Sequence, residues 1–134
     1  MSPRVARFFV PGPLPCLNDM IDAAKGCAGK GYGYATMKKQ WTENCFWRVK
    51  EAAVPRIKRA RFDFHWIERD RGRNPDNVAA AKKFVFDSLV LAKVLDNDGW
   101  KQIAGWNDTF EVGPKPGVEV TITEVEAVPC SKSR

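Results

Sequence analysis

Two short stretches alternate apolar and polar residues with a period of two, and they do most to limit what this chain can fold into. Phe62, Phe64 and Trp66 alternate with Arg61, Asp63 and His65. Val118, Val120 and Ile122 alternate with Glu119, Thr121 and Thr123. Successive side chains of a strand point to opposite faces, so each stretch offers one face to a core and the other to water. Arg4 to Val10 reads as a further strand, stopped by Pro11-Gly12-Pro13-Leu14-Pro15. Trp100 to Trp106 and Thr109 to Val112 read as two short strands, and Pro114-Lys115-Pro116-Gly117 as a turn.

Between these stretches the apolar spacing changes to that of helices. Asn18 or Asp19 is a cap for a short helix through Lys25. Thr36 is the expected cap of a longer one, in which Met37, Trp41, Cys45 and Val49 recur every four residues. Ala52 and Ala53 continue its stripe towards Pro55. Lys38, Lys39, Arg48 and Lys50 lie off the stripe and read as a solvated face or a DNA-facing one. Pro75 suits a helix start, with Asp76 or Asn77 near the N-cap. Val78, Ala81, Val85, Leu89 and Ala92 then form one apolar stripe. On a continuous helix Asp76, Lys83 and Asp87 share the other face, while Lys82 falls nearer the apolar arc.

The length of 134 residues predicts one domain, over 1–128, with a flexible tail at 129–134. A 44% hydrophobic content with five Trp and eight Phe is enough for a core. The formal charge of +6 suits a polyanionic partner without proving one. Cys16, Cys27, Cys45 and Cys130 have no C-x-x-C spacing, and His65 is the single histidine, which argues against structural zinc. Phe8-Phe9-Val10 is too short for a signal-peptide core, and no apolar run reaches membrane-spanning length. Free thiols in a reducing cytoplasm are the simplest expectation. Gly26 to Gly33 lacks the G-x-x-x-x-G-K-[ST] pattern and reads as a plain loop rather than a phosphate cradle. His65, opposite the aromatic face, reads as a surface or edge histidine.

Oxygen ligands gather in one part of this basic chain. Arg73-Asn74-Pro75-Asp76-Asn77 leads to Lys82-Lys83 and Asp87, then to Asp96-Asn97-Asp98-Gly99-Trp100. Carboxylates hold Mg²⁺ or Mn²⁺, and basic side chains hold phosphates. Arg69, Arg71 and Arg73 beside that cluster are candidates for a backbone clamp, with Lys82 and Lys101 as further DNA contacts.

These residues resemble the RusA family of Holliday junction resolvases, especially its phage-encoded branch. The resemblance runs from Leu14-Pro15-Cys16-Leu17-Asn18 through Tyr34-Ala35-Thr36-Met37-Lys38-Lys39. It is densest from Arg73 to Asp87-Ser88-Leu89 and Asp98, and closes at Val118 to Glu124. It implies an α+β fold, with a small mixed β-sheet packed against two main helices, in a homodimer. It also implies Mg²⁺-dependent resolution of four-way DNA junctions in the cytoplasm of a bacterial or phage-infected cell. The family motif is D-x-D-N, a downstream lysine and a later aspartate. Asp76 and Asn77 match the second aspartate and the asparagine, Lys83 the lysine, and Asp98 the later aspartate. Asn74 stands where the first aspartate belongs, and the segment from Asp76 to Asp87 is three residues longer than the compact motif. The resemblance therefore makes Asp76, Asp98 and Asn74 the metal ligands and Lys83 the phosphate-stabilising cation, with Asp70, Glu68 or Asp96 able to supply a missing carboxylate. A non-catalytic phage DNA-binding module with a degenerate metal site is the alternative.

Overall fold

A computed structural model describes residues 4–25 and 33–126. The glycine-rich loop, save Gly33, and the 129–134 tail lie outside the described residues. Four strands, β1 (Val5–Pro11), β2 (Ala60–Glu68), β3 (Ile103–Val112) and β4 (Gly117–Glu124), form one sheet in the order β1-β4-β2-β3. β1 and β2 both run antiparallel to β4, and β3 runs parallel to β2. The sheet is mixed, and the fold is α+β. Among the described residues four helices, α1 (Leu17–Ala24), α2 (Tyr34–Glu51), α3 (Pro75–Ala79) and α4 (Lys82–Leu91), accompany it. Among the described residues no helix is long and apolar enough to cross a membrane.

Register turns the two alternating stretches into rows across the sheet. Val10, Val118, Trp66 and Phe110 form one row; Phe8, Val120, Phe64 and Asp108 the next; Ala6, Ile122, Phe62 and Trp106 a third. Phe62, Phe64, Trp66, Val118, Val120 and Ile122 are all buried. Burying a side chain of that size is worth about 1.5–3 kcal/mol, so these rows dominate the core. Phe86 of α4 meets the rings of Phe62 and Phe64 edge-on, at 5.1 and 5.5 Å. α2 packs across α4 and β1 through Cys45 and Val49. Burial pushes the Cys45 thiol up to about 12. Gly117 begins β4 where nothing larger fits, because a Cβ there would run into the Val10 carbonyl and the Phe9 ring.

Several local expectations are corrected. Gly33, not Thr36, is the N-cap of α2, and Thr36 lies in its first turn. Ala52 and Ala53 follow the helix and are exposed, with Ala53 at φ 52°. α1 starts after Cys16, and Asp19 acts from the third helical position by accepting the Cys16 N–H at 2.9 Å. The stripe from Val78 to Leu89 is buried as expected, but the helix breaks at Ala80-Ala81 into α3 and α4. Asp76 is therefore not on the same helix as Lys83 and Asp87. The two short strands expected around Trp106 and Thr109 are one ten-residue strand, with Trp100 in the turn before it.

Candidate functional site

The turn after α4 is held from below. Val94 and Leu95 are buried, and Arg56 forms an ion pair with Asp96. Asp98 is thereby presented on the surface, beside Asn97. Asp98, Asn97 and Asp87 of α4 line one cavity of about 560 Å³, with Lys38, Lys39, Thr42 and Glu43 of α2 on its other side. Lys38 Nζ and Lys83 Nζ stand 3.7 and 4.0 Å from Asp87 Oδ2. Those are ion-pair distances too long for hydrogen bonds. Asp87 Oδ2 and Thr42 Oγ1 are both buried without a hydrogen-bond partner. A shielded carboxylate oxygen of this kind is costly unless a cation or a donor reaches it.

A second cavity, of about 320 Å³, sits at the carboxyl ends of the parallel pair β2 and β3. Glu68, Asp70, Arg71, Arg73, Asn74, Phe110 and Val112 line it. Asn74 is the N-cap of α3, with Pro75 in the first turn as expected. Arg73 points into the protein: its Nη2 donates to the Leu14 carbonyl at 2.7 Å, and its Nε lies 3.2 Å from Glu68 Oε1. Burial raises the Glu68 carboxyl above its ordinary value, Arg73 opposes that, and Asp70 adds to it. Arg69 and Arg71 are exposed.

Thus Asn74 and Asp98 line different cavities, and Asp76, exposed on α3, lines neither. Among the described residues no three His, Cys, Asp or Glu side chains form a group able to hold a metal ion. Mg²⁺ needs less than that, since it is commonly bound by one or two carboxylates, waters and substrate phosphate. Asp87 and Asp98, with Asn97 lining the same cavity, suit that donor chemistry. Asp87 appears in the sequence as an i,i+4 partner of Lys83; its cavity depends on α2 folding over α4, which no local spacing reveals.

The candidate DNA-contacting lysines separate sharply. Lys82 Nζ donates to Asp108 Oδ2 at 2.9 Å and lies 5.1 and 5.8 Å from the Trp106 and Phe64 ring centroids. Trp66 Nε1 donates to the other oxygen of Asp108 at 2.9 Å. Lys82 is therefore committed to the rim of the core. Lys101 is exposed, and the carbonyls of Trp100 and Lys101 accept from Arg59 at 3.2 and 3.3 Å. His65 lies on the sheet face opposite the helices, as expected. It is bound on both nitrogens, by Thr109 Oγ1 at 2.7 Å and Glu111 Oε1 at 2.6 Å. No model of a known protein family matches this chain, and no curated protein matches it.

Proposed function

We propose that this protein is a Mg²⁺-dependent endodeoxyribonuclease acting on branched DNA, the activity implied by its resemblance to the RusA family. The observation that carries the reading is the cavity shared by Asp87 and Asp98 and rimmed by Lys38 and Lys39 in a chain of charge +6. Phosphodiester hydrolysis needs a neutraliser of developing negative charge and an activated water. Mg²⁺ supplies both when bound. Asp98 keeps the ligand role implied by the resemblance, and Asp87 joins it. Lys38 and Lys83 flank Asp87 and balance its charge before substrate arrives. Lys39 and the exposed Arg69 and Arg71 hold flanking phosphates. A homodimer would present two such sites to a two-fold junction.

The separation of Asn74 from Asp98 favours a second reading, a module that binds branched DNA without cutting it. A labelled four-way junction incubated with and without Mg²⁺ decides between them. Paired nicks with Mg²⁺ alone are the expected result, and binding without cleavage selects the second reading. Asp98→Asn and Asp87→Asn should each abolish nicking while preserving binding, since removing negative charge relieves repulsion of phosphate. Loss of cleavage in Asp76→Asn, with Asp87→Asn fully active, would return the metal to Asp76.

A further inference from the structure

Trp100 is 97% exposed, more than any other large apolar residue described. Leaving an indole in water forgoes a large burial energy, and here the cause is not a loose turn. The Gly99 N–H donates to Gln102 Oε1 at 3.2 Å, and the Gln102 and Ile103 N–H groups return to the Gly99 carbonyl at 3.2 and 3.0 Å. The Ala60 N–H ties Gln102 to the sheet at 2.9 Å, and Arg59 holds the carbonyls of Trp100 and Lys101. The backbone that carries Trp100 is fixed, and its ring is still held out in solvent.

Trp106 is the second half of the arrangement. It is 46% exposed, and its ring stands 5.7 Å from Phe86 with Lys82 Nζ over it at 5.1 Å. Both indoles line a cavity of about 380 Å³ together with Gly99, Ile103, Ala104 and Gly105. The Arg61 guanidinium lies over Gly105, its Nη1 3.0 Å from where a Cβ would stand. The lining is apolar except for one residue, Asp98, which also borders the Lys38–Asp87 cavity. The exposed Arg61 has its guanidinium beside Gly105, and the exposed Lys101 follows Trp100 in the turn.

We infer that Trp100 and Trp106 form a stacking site for one unpaired nucleobase of a DNA strand whose phosphate lies in the neighbouring cavity. Two aromatic faces take any base, and the adjoining cations hold its backbone. An apolar peptide would use the rings and leave the cations idle; a nucleotide uses both. Asp98 borders both cavities and so makes them neighbours. The inference rests on the reading of the Lys38–Asp87–Asp98 cavity as a phosphodiester site. It adds that the substrate presents an unstacked base there.

The test is a fluorescence titration of the full chain without Mg²⁺, using a 12-mer of thymidine and an abasic 12-mer of equal charge. The thymidine strand should quench tryptophan emission and bind about tenfold more tightly than the abasic one. Trp100→Ala, at a surface position outside the core, should erase that tenfold difference and leave abasic binding unchanged. Trp100→Phe should restore most of it. Equal affinity for the two strands, or a Trp100→Ala protein that still prefers thymidine tenfold, overturns the base site. If the wild type meanwhile nicks a four-way junction with Mg²⁺, the nuclease reading survives that failure. A wild type that binds neither strand and leaves the junction intact overturns both.

Discussion

Lys82→Met removes one charge, keeps most of the side-chain stem and should destabilise the protein sharply. Lys82 and Asp108 side chains are 17% and 20% exposed, and their ion pair measures 2.9 Å. Exposed pairs contribute about 0–1 kcal/mol, whereas breaking a fully buried pair costs about 3–5 kcal/mol. Trp66 Nε1 still donates to Asp108 in the variant, which softens the loss. The cation also leaves the faces of Trp106 and Phe64, worth roughly 0.5 kcal/mol. A total near 2.5 kcal/mol is the result. With a urea slope of about 1.5 kcal/mol/M, the unfolding midpoint should fall by about 1.7 M. Adding Asp108→Leu should recover about half of this, because the stranded carboxylate disappears but the Trp66 N–H loses its acceptor. A midpoint within about 0.3 M of wild type in Lys82→Met would refute the reasoning. So would a drop in DNA affinity without loss of stability, which would make Lys82 the phosphate contact suggested by its place in the sequence.

Arg69→Ala with Arg71→Ala should weaken junction binding and lower the log–log salt slope by about 0.9 per lost phosphate contact. Arg73→Ala should instead lower the unfolding midpoint, since its guanidinium is engaged by Leu14 and Glu68; a reduced salt slope with unchanged stability would reverse that assignment. Cys45 should resist alkylation at pH 8 until the protein unfolds, as mapped by mass spectrometry; its pKa is raised by folding, so its contribution to stability is complete below about 9 and lost as pH rises towards about 12. Gly117→Ala should cost about 3 kcal/mol in a denaturant titration, because backbone and the Phe9 ring occupy the space a methyl group needs; a loss under about 1 kcal/mol would show that the β1–β4 pair can shift to admit it.

Where one face of an element alone decides burial, the sequence is legible. β2 and β4 alternate strictly, so their buried sets are Phe62, Phe64, Trp66 and Val118, Val120, Ile122, and Pro75 marks the start of α3. β3 is harder to read, because Gly105, Asn107 and Asp108 are poor strand formers and only pairing with β2 keeps it continuous. The break at Ala80-Ala81 carries no proline or glycine, and the apolar stripe runs through it unbroken. The cavity around Asp98 depends on the fold of α2 over α4, so the distance between Asp76 and Asp98 along the chain gives no guide to it. Lys82 and Lys83 look equivalent in one dimension; the sheet's Asp108 takes one inward and leaves the other beside Asp87.

β4 closes the sheet from its middle although its residues come after those of the other three strands. It hydrogen-bonds β2 on one side and β1 on the other, and its pairs with β1 join residues more than a hundred positions apart. During synthesis β2 and β3 can pair as they emerge, whereas β1 has no strand to pair with among the described elements until Gly117 to Glu124 has left the ribosome. Any chain shortened before Gly117 loses the seat of β1 as well as one strand, and leaves the backbone edge of β1 without its β4 partner. Loop closure over that span is slow, and the waiting strand edge is open to aggregation in the meantime. A stop or frameshift before Gly117 should therefore behave in the cell like loss of the whole protein.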